Sequence, residues 1–373
     1  MINYIVVGQD QRVTLAVLQA VRSFTDAGCM VIGTKENRGL RWSSLCEKQA
    51  TIRFDGAHDD AFVSLVDDLT RNNRHLALIP ADCDAVRMVN RVSKRLFVTI
   101  APIPDTQTMT MLADRWQFQQ LCRRNGLPVP AVRLIGEDIG LDFSALATEL
   151  GLPFIVKPVL HQPSCASVLV RSRRDLLRLP ARPELMAQKI VPGIEVSISL
   201  LADRGQPTAW AIAGLAEQST HSQAELEKLA TRLCQASAFN GLMRLRARVD
   251  LVTGAAVLID CVPHCWPEMT APILDGLNLV AESVHPSPTG RGLPRIRQAR
   301  AKLGHPLAPA RWQRLGAPDV GGRLLRAMSL DLYSLSLSTA GLMRNAWQKA
   351  AQRPAQKQDK SPSVARHQDA TAR

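Results

Sequence analysis

The residues best suited to chemistry are a lysine, an arginine and an aspartate that lie in short apolar strands. Lys157 lies in the run Phe154–Pro158, where a buried ammonium group has to be paired. One interpretation is a lysine that reaches from its strand to phosphate oxygens as a point charge. The alternative is a strand-end lysine whose amine extends into water. The local pattern leaves both open.

The arginine and the aspartate lie on a predicted strand pair within residues 241–266, which is joined by a Thr-Gly turn. If such strands served a Mg-ATP site, their ends would hold carboxylates, because Mg²⁺ takes oxygen ligands. The first candidate position is Arg246, and Asp260 is the acid on the second strand. Arg244 and Arg248 flank Arg246 at strand spacing, so three guanidinium groups are expected on one face.

Two further segments carry groups that suit a phosphorylated ligand. Arg115 follows Asp114 at the start of a predicted helix and offers a second cation to phosphates; the alternative is a solvated surface pair. The run 186–195 is typical of a hinge strand, whose backbone groups pair with an adenine edge while Glu195 accepts hydrogen bonds from ribose hydroxyls. The alternative is a β-hairpin with one exposed acid.

The elements that must position these residues begin with a predicted parallel α/β unit. Short apolar runs, which are typical of buried strands, alternate with segments whose apolar residues have helical spacing. Strands are expected at 2–8, 29–33 and 75–80, and helices at 12–27 and 59–73. The turn after the first strand lacks G-x-G-x-x-G, which argues against a dinucleotide site. Asp82 follows a strand, at the edge where open α/β sheets bind ligands. Further helices are expected at 106–125, 143–150, 172–179 and 222–239, and strands at 151–159, 185–191 and 195–202.

Five motifs occur in a characteristic order: Asp-Arg before a helix, GLPVP after it, GLPFIVKP, QKIVPGIE, and a strand pair ending in IDCVP. This order resembles the ATP-grasp superfamily, in particular its carboxylate–amine ligase and carbamoyl-phosphate-synthase-like branch, over roughly residues 1–283. The resemblance implies an α/β and α+β fold class. A pre-ATP-grasp parallel α/β domain at 1–104 would precede a two-lobed ATP-grasp domain at 105–283. It also implies an enzyme that converts a carboxylate to an acyl phosphate, from which an amine displaces the phosphate.

Carried over residue by residue, the resemblance implies a nucleotide pocket for ATP. Arg115 stands where the family usually has a phosphate-binding lysine, and Lys157 matches the second phosphate lysine. Glu195 matches the ribose-binding acid. The hinge that contacts adenine corresponds to Gln188, Lys189, Ile190 and Val191.

The sequence departs from the family at the reacting end of this pocket. The loop 160–167 lacks the glycines that let backbone N–H groups close over phosphates. Arg246 occupies the first metal-carboxylate position, and the motif Glu-x-Asn-Pro-Arg reads Asp260-Cys261-Val262-Pro263-His264. Arg246 and His264 are therefore the candidate catalytic residues, and Asp260 is the candidate metal ligand. Because one shortened carboxylate is a poor Mg²⁺ site, the metal-binding motif is predicted to be degenerate.

The composition of the 373 residues is that of a globular chain of two or three domains. The eight cysteines form no C-x-x-C pair, so neither a zinc knuckle nor a disulfide framework is indicated, and reduced thiols in a cytoplasmic protein are expected. The N-terminus lacks the features of a signal peptide. No apolar run approaches the ~20 residues of a transmembrane helix.

The positive charge is concentrated in the C-terminal part of the chain. Residues 283–373 contain 16 Lys+Arg and 4 Asp+Glu, in a chain whose net charge is +13. Residues 284–349 are predicted to be a basic, partly helical extension, and 350–373, which are poor in apolar residues, a disordered tail. One interpretation of this charge is an anionic partner, either nucleic acid or a lipid surface. The alternative is a solvated tail.

The sequence thus predicts an ATP-binding ligase that acts on an unidentified carboxylate and amine. The first alternative is a catalytically degenerate relative that binds nucleotide or serves as a scaffold subunit, because the metal carboxylates are replaced. The second alternative is a binding protein that uses its basic tail on nucleic acid or membrane.

Overall fold

The N-terminal residues fold into a parallel sheet of strand order β3-β2-β1-β4-β5. Its strands are β1 Ile2–Gly8, β2 Gly28–Gly33, β3 Lys48–Thr51, β4 Ala77–Pro80 and β5 Thr99–Ile100. The connecting helices are α1 Gln11–Phe24, α2 Asp59–Asn72 and α3 Cys83–Val92. The central strands are apolar and buried, as parallel strands covered by helices on both faces must be. The predicted parallel α/β unit is therefore confirmed.

The computed structural model describes residues 2–72, 75–135, 142–160, 167–179, 184–215, 220–285, 295–299 and 318–336. The glycine-poor loop at 161–166 and the tail at 350–373 lie outside these ranges, and so does most of the extension at 284–349. The domain boundaries near residues 104 and 283 stay predictions. Among the helices that are described, none has the length and hydrophobicity that crossing a bilayer requires.

Asp82 lies where β1 and β4 end, and it has a structural role in the parallel sheet. Its carboxylate accepts hydrogen bonds from the backbone of Gln9 at 2.5 Å and Asp10 at 2.7 Å, and it caps α3 through the backbone of Ala85 at 3.0 Å. Burial raises the pKa of this carboxyl to about 6, although the three backbone donors favour the charged form. Asp82 thus ties the turn after β1 to the start of α3.

A four-stranded antiparallel sheet of order β6-β9-β7-β8 follows in the chain. Its strands are β6 Val132–Ile135, β7 Phe154–Pro158, β8 Val168–Val170 and β9 Leu185–Lys189. Helix α6, Phe143–Leu150, contributes Leu146 and Leu150 to a core with Phe154 and Val156 on one face of this sheet. Side chains alternate along a strand, so Lys157 points to the opposite face.

The third sheet has the strand order β13-β12-β10-β11-β14. Its strands are β10 Ile194–Asp203, β11 Gln206–Ala213, β12 Gly241–Val249, β13 Ala256–Val262 and β14 Arg295–Ala299. One face forms a core with two helices, α5 Arg115–Arg124 and α7 Thr220–Ser237. The other face of β12 carries Arg244, Arg246 and Arg248, all partly exposed. The expectation that these arginines share one face is confirmed.

The predicted helix over 106–125 is wrong as a single element. It consists of α4, Thr106–Ala113, and α5, and these are separated at Asp114. Asp114 has an extended backbone, and its carboxylate accepts a hydrogen bond from the Gln117 backbone at 2.8 Å, which is the geometry of an N-cap. The break makes Arg115 the first residue of α5. Helices α8, Leu279–Val284, and α9, Val320–Leu330, follow the third sheet.

Candidate functional site

Lys157 is the buried cation at the centre of the candidate site. It lies on β7 opposite Met186 of β9, and only 5% of its surface is exposed. Its ammonium group donates a hydrogen bond of 3.1 Å to the carbonyl oxygen of Ile259. Burial lowers the pKa of Lys157 to about 8, because it disfavours the charged amine more than the nearby Asp260 carboxylate favours it.

The carbonyl that Lys157 contacts belongs to a β-bulge in β13. Arg246 pairs with Asp260, but the next residue of β12, Ala247, pairs with Leu258, so Ile259 has no partner opposite it. A bulge of this kind shifts the alternation of side chains by one residue. Leu258 therefore points into the core under the sheet, whereas Asp260 reaches the polar face beside Arg246.

Asp260 is a buried carboxylate held by two arginines from distant parts of the chain. Its Oδ1 atom accepts a hydrogen bond of 3.1 Å from Nε of Arg115, and its Oδ2 atom lies 3.4 Å from Nη2 of Arg246. Burial by itself would raise the pKa of this carboxyl, but the charges of Lys157, Arg115 and Arg246 outweigh it and lower the pKa to about 2. Asp260 is consequently ionised at neutral pH.

Arg115 is fixed in this position by backbone contacts as well as by Asp260. Its own N–H donates to the carbonyl of Val159 at 2.9 Å, and Nη1 donates to the carbonyl of Pro158 at 2.7 Å. Pro158 is the last residue of β7, which also carries Lys157, and Val159 follows it directly. The two cations predicted for phosphate binding are thus brought to the same sheet edge.

The three arginines of β12 have different partners. Nη1 of Arg246 lies 3.4 Å from Glu195 of β10, whose side chain is half exposed. Arg244 forms an ion pair of 2.7 Å with Glu268, and Arg248 donates to the carbonyl of Gly193 at 3.1 Å. Among the ion pairs within the described ranges, Arg246 is the one of these three arginines that bridges two carboxylates, and it joins Glu195 to the Asp260 cluster.

The predicted hinge lies on the same face of the four-stranded sheet as Lys157. Gln188 of β9 pairs with Ile155 of β7, two residues from Lys157, and directly opposite residues in a sheet share a face. Gln188 is buried, and in the part of the chain that is described its Oε1 atom has no hydrogen-bond partner. Lys189 is exposed at the end of β9, and Ile190 and Val191 follow it, half buried.

His264 lies in a different environment from the Asp260 cluster. Its Nδ1 atom is 2.6 Å from the carbonyl oxygen of Cys265. The side chain lines a small cavity with residues from β4 and from the segment after β5, among them Pro80, Pro102 and Pro104. The structure therefore brings Arg115, Lys157, Glu195, Arg246 and Asp260 together, and it brings His264 against the parallel sheet instead.

The chain resembles known proteins both in sequence and in fold. No protein-family model matches it. D-alanine–D-alanine ligase from Laribacter hongkongensis is 35% identical over 99 residues, which cover 25% of this chain and 32% of the ligase. The chain thus spans about a third of the length of that curated relative.

Two solved structures share the fold over most of the chain. The L-amino acid ligase from Bacillus licheniformis has a TM-score of 0.57 at 15% identity, over 77% of this chain and 75% of that one. N5-carboxyaminoimidazole synthetase from Staphylococcus aureus, complexed with ADP, has a TM-score of 0.59 at 16% identity, over 79% of each chain. Both comparisons support the ATP-grasp resemblance that the motif order predicts. The predicted fold class, a parallel α/β domain followed by ATP-grasp sheets, is confirmed.

The ATP-grasp resemblance implies Mg²⁺, and the residues around Asp260 do not fit this ion. Both oxygens of the carboxylate already lie against guanidinium groups. Within the described ranges, no group of three or more His, Cys, Asp or Glu side chains is arranged to hold a metal ion. A divalent cation at Asp260 would meet the charges of Arg115, Arg246 and Lys157 and too few oxygen ligands.

Two features of the candidate site were missed by reasoning from the sequence. One is the bulge at Ile259, for which the apolar run before Asp260 gives no signal. The other is the direct pairing of Arg115 with Asp260, since the sequence predicted phosphates for the arginine and a metal for the aspartate. Both features arise from contacts between segments that are far apart in the chain.

Proposed function

We propose that this chain binds ATP between its four-stranded sheet and the polar face of its third sheet, and uses it to activate a carboxylate. The observation that carries the proposal is the buried cluster in which Lys157 and Arg115 meet Arg246 and Asp260. Three cations surround Asp260, and Glu195 beside Arg246 is a second acid, so the cluster still has an excess of positive charge that a polyphosphate would neutralise.

In this proposal Lys157 and Arg115 hold the phosphates. An ammonium group has three N–H donors, and Lys157 uses one of them on the Ile259 carbonyl. Phosphate oxygens would accept the others and offset the cost of burying this charge. Arg115 keeps its contacts with Pro158 and Asp260 and adds its positive charge beside Lys157.

The hinge and Glu195 would bind the nucleoside. The unpartnered Oε1 atom of Gln188 suits the exocyclic amine of adenine, because a buried acceptor without a donor is unfavourable. The backbone of Lys189, Ile190 and Val191 would line the edge of the base. Glu195, half exposed at the start of β10, would accept hydrogen bonds from the ribose hydroxyls.

The proposed reaction is that of a carboxylate–amine ligase. A carboxylate oxygen of the substrate attacks the γ-phosphorus of ATP, and the bond from this phosphorus to the bridging oxygen breaks, which gives an acyl phosphate and ADP. The amine then attacks the acyl carbon, inorganic phosphate leaves, and the amine loses a proton. Arg246 would stabilise the transferring phosphoryl group, and His264, beside the parallel sheet, would border the acceptor.

Release of ADP tests this proposal. The purified chain would be incubated with ATP and a panel of amino acids that includes D-alanine, the substrate in the name of the ligase relative. ADP and phosphate should appear together only when a suitable carboxylate and amine are both present. The Lys157→Met variant should bind ATP more weakly and release less ADP.

A second candidate function is nucleotide binding without phosphoryl transfer. It is favoured by one observation, that both oxygens of Asp260 are paired with arginines, because phosphoryl transfer depends on charge neutralisation that metal ions usually supply. ATP binding without ADP release for any acceptor pair would select this function over the ligase.

A further inference from the structure

Arg246 occupies the centre of the polar face where an ATP-grasp protein would be expected to hold a divalent cation. It lies on β12 between β10 and β13, directly opposite Ser197 on one side and Asp260 on the other. Its two terminal nitrogens lie 3.4 Å from carboxylate oxygens of Glu195 and Asp260. One guanidinium group thus contacts both acids of this face.

These contacts leave the guanidinium able to take a ligand. Charge-assisted hydrogen bonds between nitrogen and oxygen are usually about 2.7–2.9 Å long, so both ion pairs of Arg246 are loose. The side chain is 36% exposed. Its Nε atom has no hydrogen-bond partner among the residues that the structure describes. A guanidinium has five N–H donors in a planar fork that matches phosphate oxygens.

We propose that Arg246 replaces the divalent cation of this site, so that the chain binds its nucleotide as the metal-free polyanion. The inference rests on the proposed binding of ATP in this cleft. Lys157, Arg115 and Arg246 together carry three positive charges against the two negative charges of Asp260 and Glu195. Free ATP carries more negative charge than its Mg²⁺ complex, and it brings no cation into a site that is already positive.

The test compares ATP affinity in EDTA with affinity in excess Mg²⁺, measured by isothermal titration of the full chain. The wild-type chain should bind free ATP more tightly, by about tenfold or more, as expected for charges a few ångströms apart in a partly buried site. The Arg246→Glu variant places a second carboxylate beside Asp260. This variant should show the opposite preference and bind ATP more tightly in excess Mg²⁺ than in EDTA.

The matched control is Arg248→Glu, which makes the same change of charge on the same face of β12, two residues away. This variant should bind more weakly than wild type but keep the preference for free ATP. Paramagnetic resonance of Mn²⁺ gives a second measurement: the wild-type chain should leave the ion free, and Arg246→Glu should bind it.

Each outcome separates this inference from the function on which it rests. Tighter wild-type binding in Mg²⁺ would overturn the inference and leave ATP binding intact. Absence of ATP binding in both conditions would overturn the proposed function, and the inference with it. If circular dichroism shows that Arg246→Glu is unfolded, two measurements on the wild-type chain still test the inference: its ATP affinity in EDTA against that in Mg²⁺, and its binding of Mn²⁺.

Discussion

The affinity for ATP should depend on pH through Lys157. Burial lowers the pKa of this amine to about 8, from an ordinary value of 10.5, and bound phosphates should restore the ordinary value because they favour the charged form. Well below pH 8 the amine is charged in both the free and the bound chain, so Lys157 contributes no pH dependence to the affinity there. Above pH 8 the free chain loses the proton and the complex keeps it.

Binding therefore takes up a proton in this window, and the affinity falls as the pH rises. One pKa unit corresponds to about 1.4 kcal/mol, or tenfold in affinity. The dissociation constant should rise about tenfold per pH unit between about pH 8 and 10.5, and about 300-fold in all. Buried thiols do not obscure this window, because burial raises the pKa of Cys83 to about 11 and that of Cys122 to about 12.

Calorimetry in two buffers with different ionisation enthalpies measures this proton uptake, which should approach one proton per ATP near pH 9. Lys157→Arg is the matched control, since a guanidinium stays protonated throughout and its affinity should be flat. A flat profile for the wild-type chain would refute the role of Lys157, and so would an equal slope in the Arg variant. Circular dichroism at each pH would show that the fold persists.

Three further predictions concern individual contacts. Asp260→Asn should destabilise the fold by about 3–5 kcal/mol in urea unfolding, because it leaves buried cations without their counter-charge; an unchanged midpoint would contradict the cluster. Gln188→Leu should weaken ATP binding about tenfold and leave binding of inosine triphosphate, which lacks the adenine amine, unchanged. Asp331 accepts hydrogen bonds from Ser43 Oγ and the Ser44 backbone, each at 2.9 Å, so Asp331→Ala should increase hydrogen exchange in α9. The control Asp203→Ala, at an exposed position whose ion pair is with the neighbouring Arg204, should not.

Local rules of chain geometry made much of this fold predictable. The buried parallel strands follow from continuous apolar runs, and the common face of Arg244, Arg246 and Arg248 follows from the two-residue period of a strand. The ATP-grasp resemblance rested on the order of short motifs. The fold shared with the solved ligase structures supports that resemblance. The helix over 106–125 was predicted too long because helical spacing continues through Asp114, and only the cap shows the break.

The chemistry of the site was decided by the tertiary structure. The sequence by itself determined that Arg246 stands where a carboxylate was expected and that Lys157 lies in an apolar strand. It did not determine that Asp260 is paired with Arg115, which is 145 residues away in the chain. Nor did it determine the bulge at Ile259 that turns Asp260 out of the core. Both depend on which segments meet across the sheets. Once these segments have buried Asp260 and Lys157, the pKa of each group is determined by the loss of water and by the charged groups closest to it.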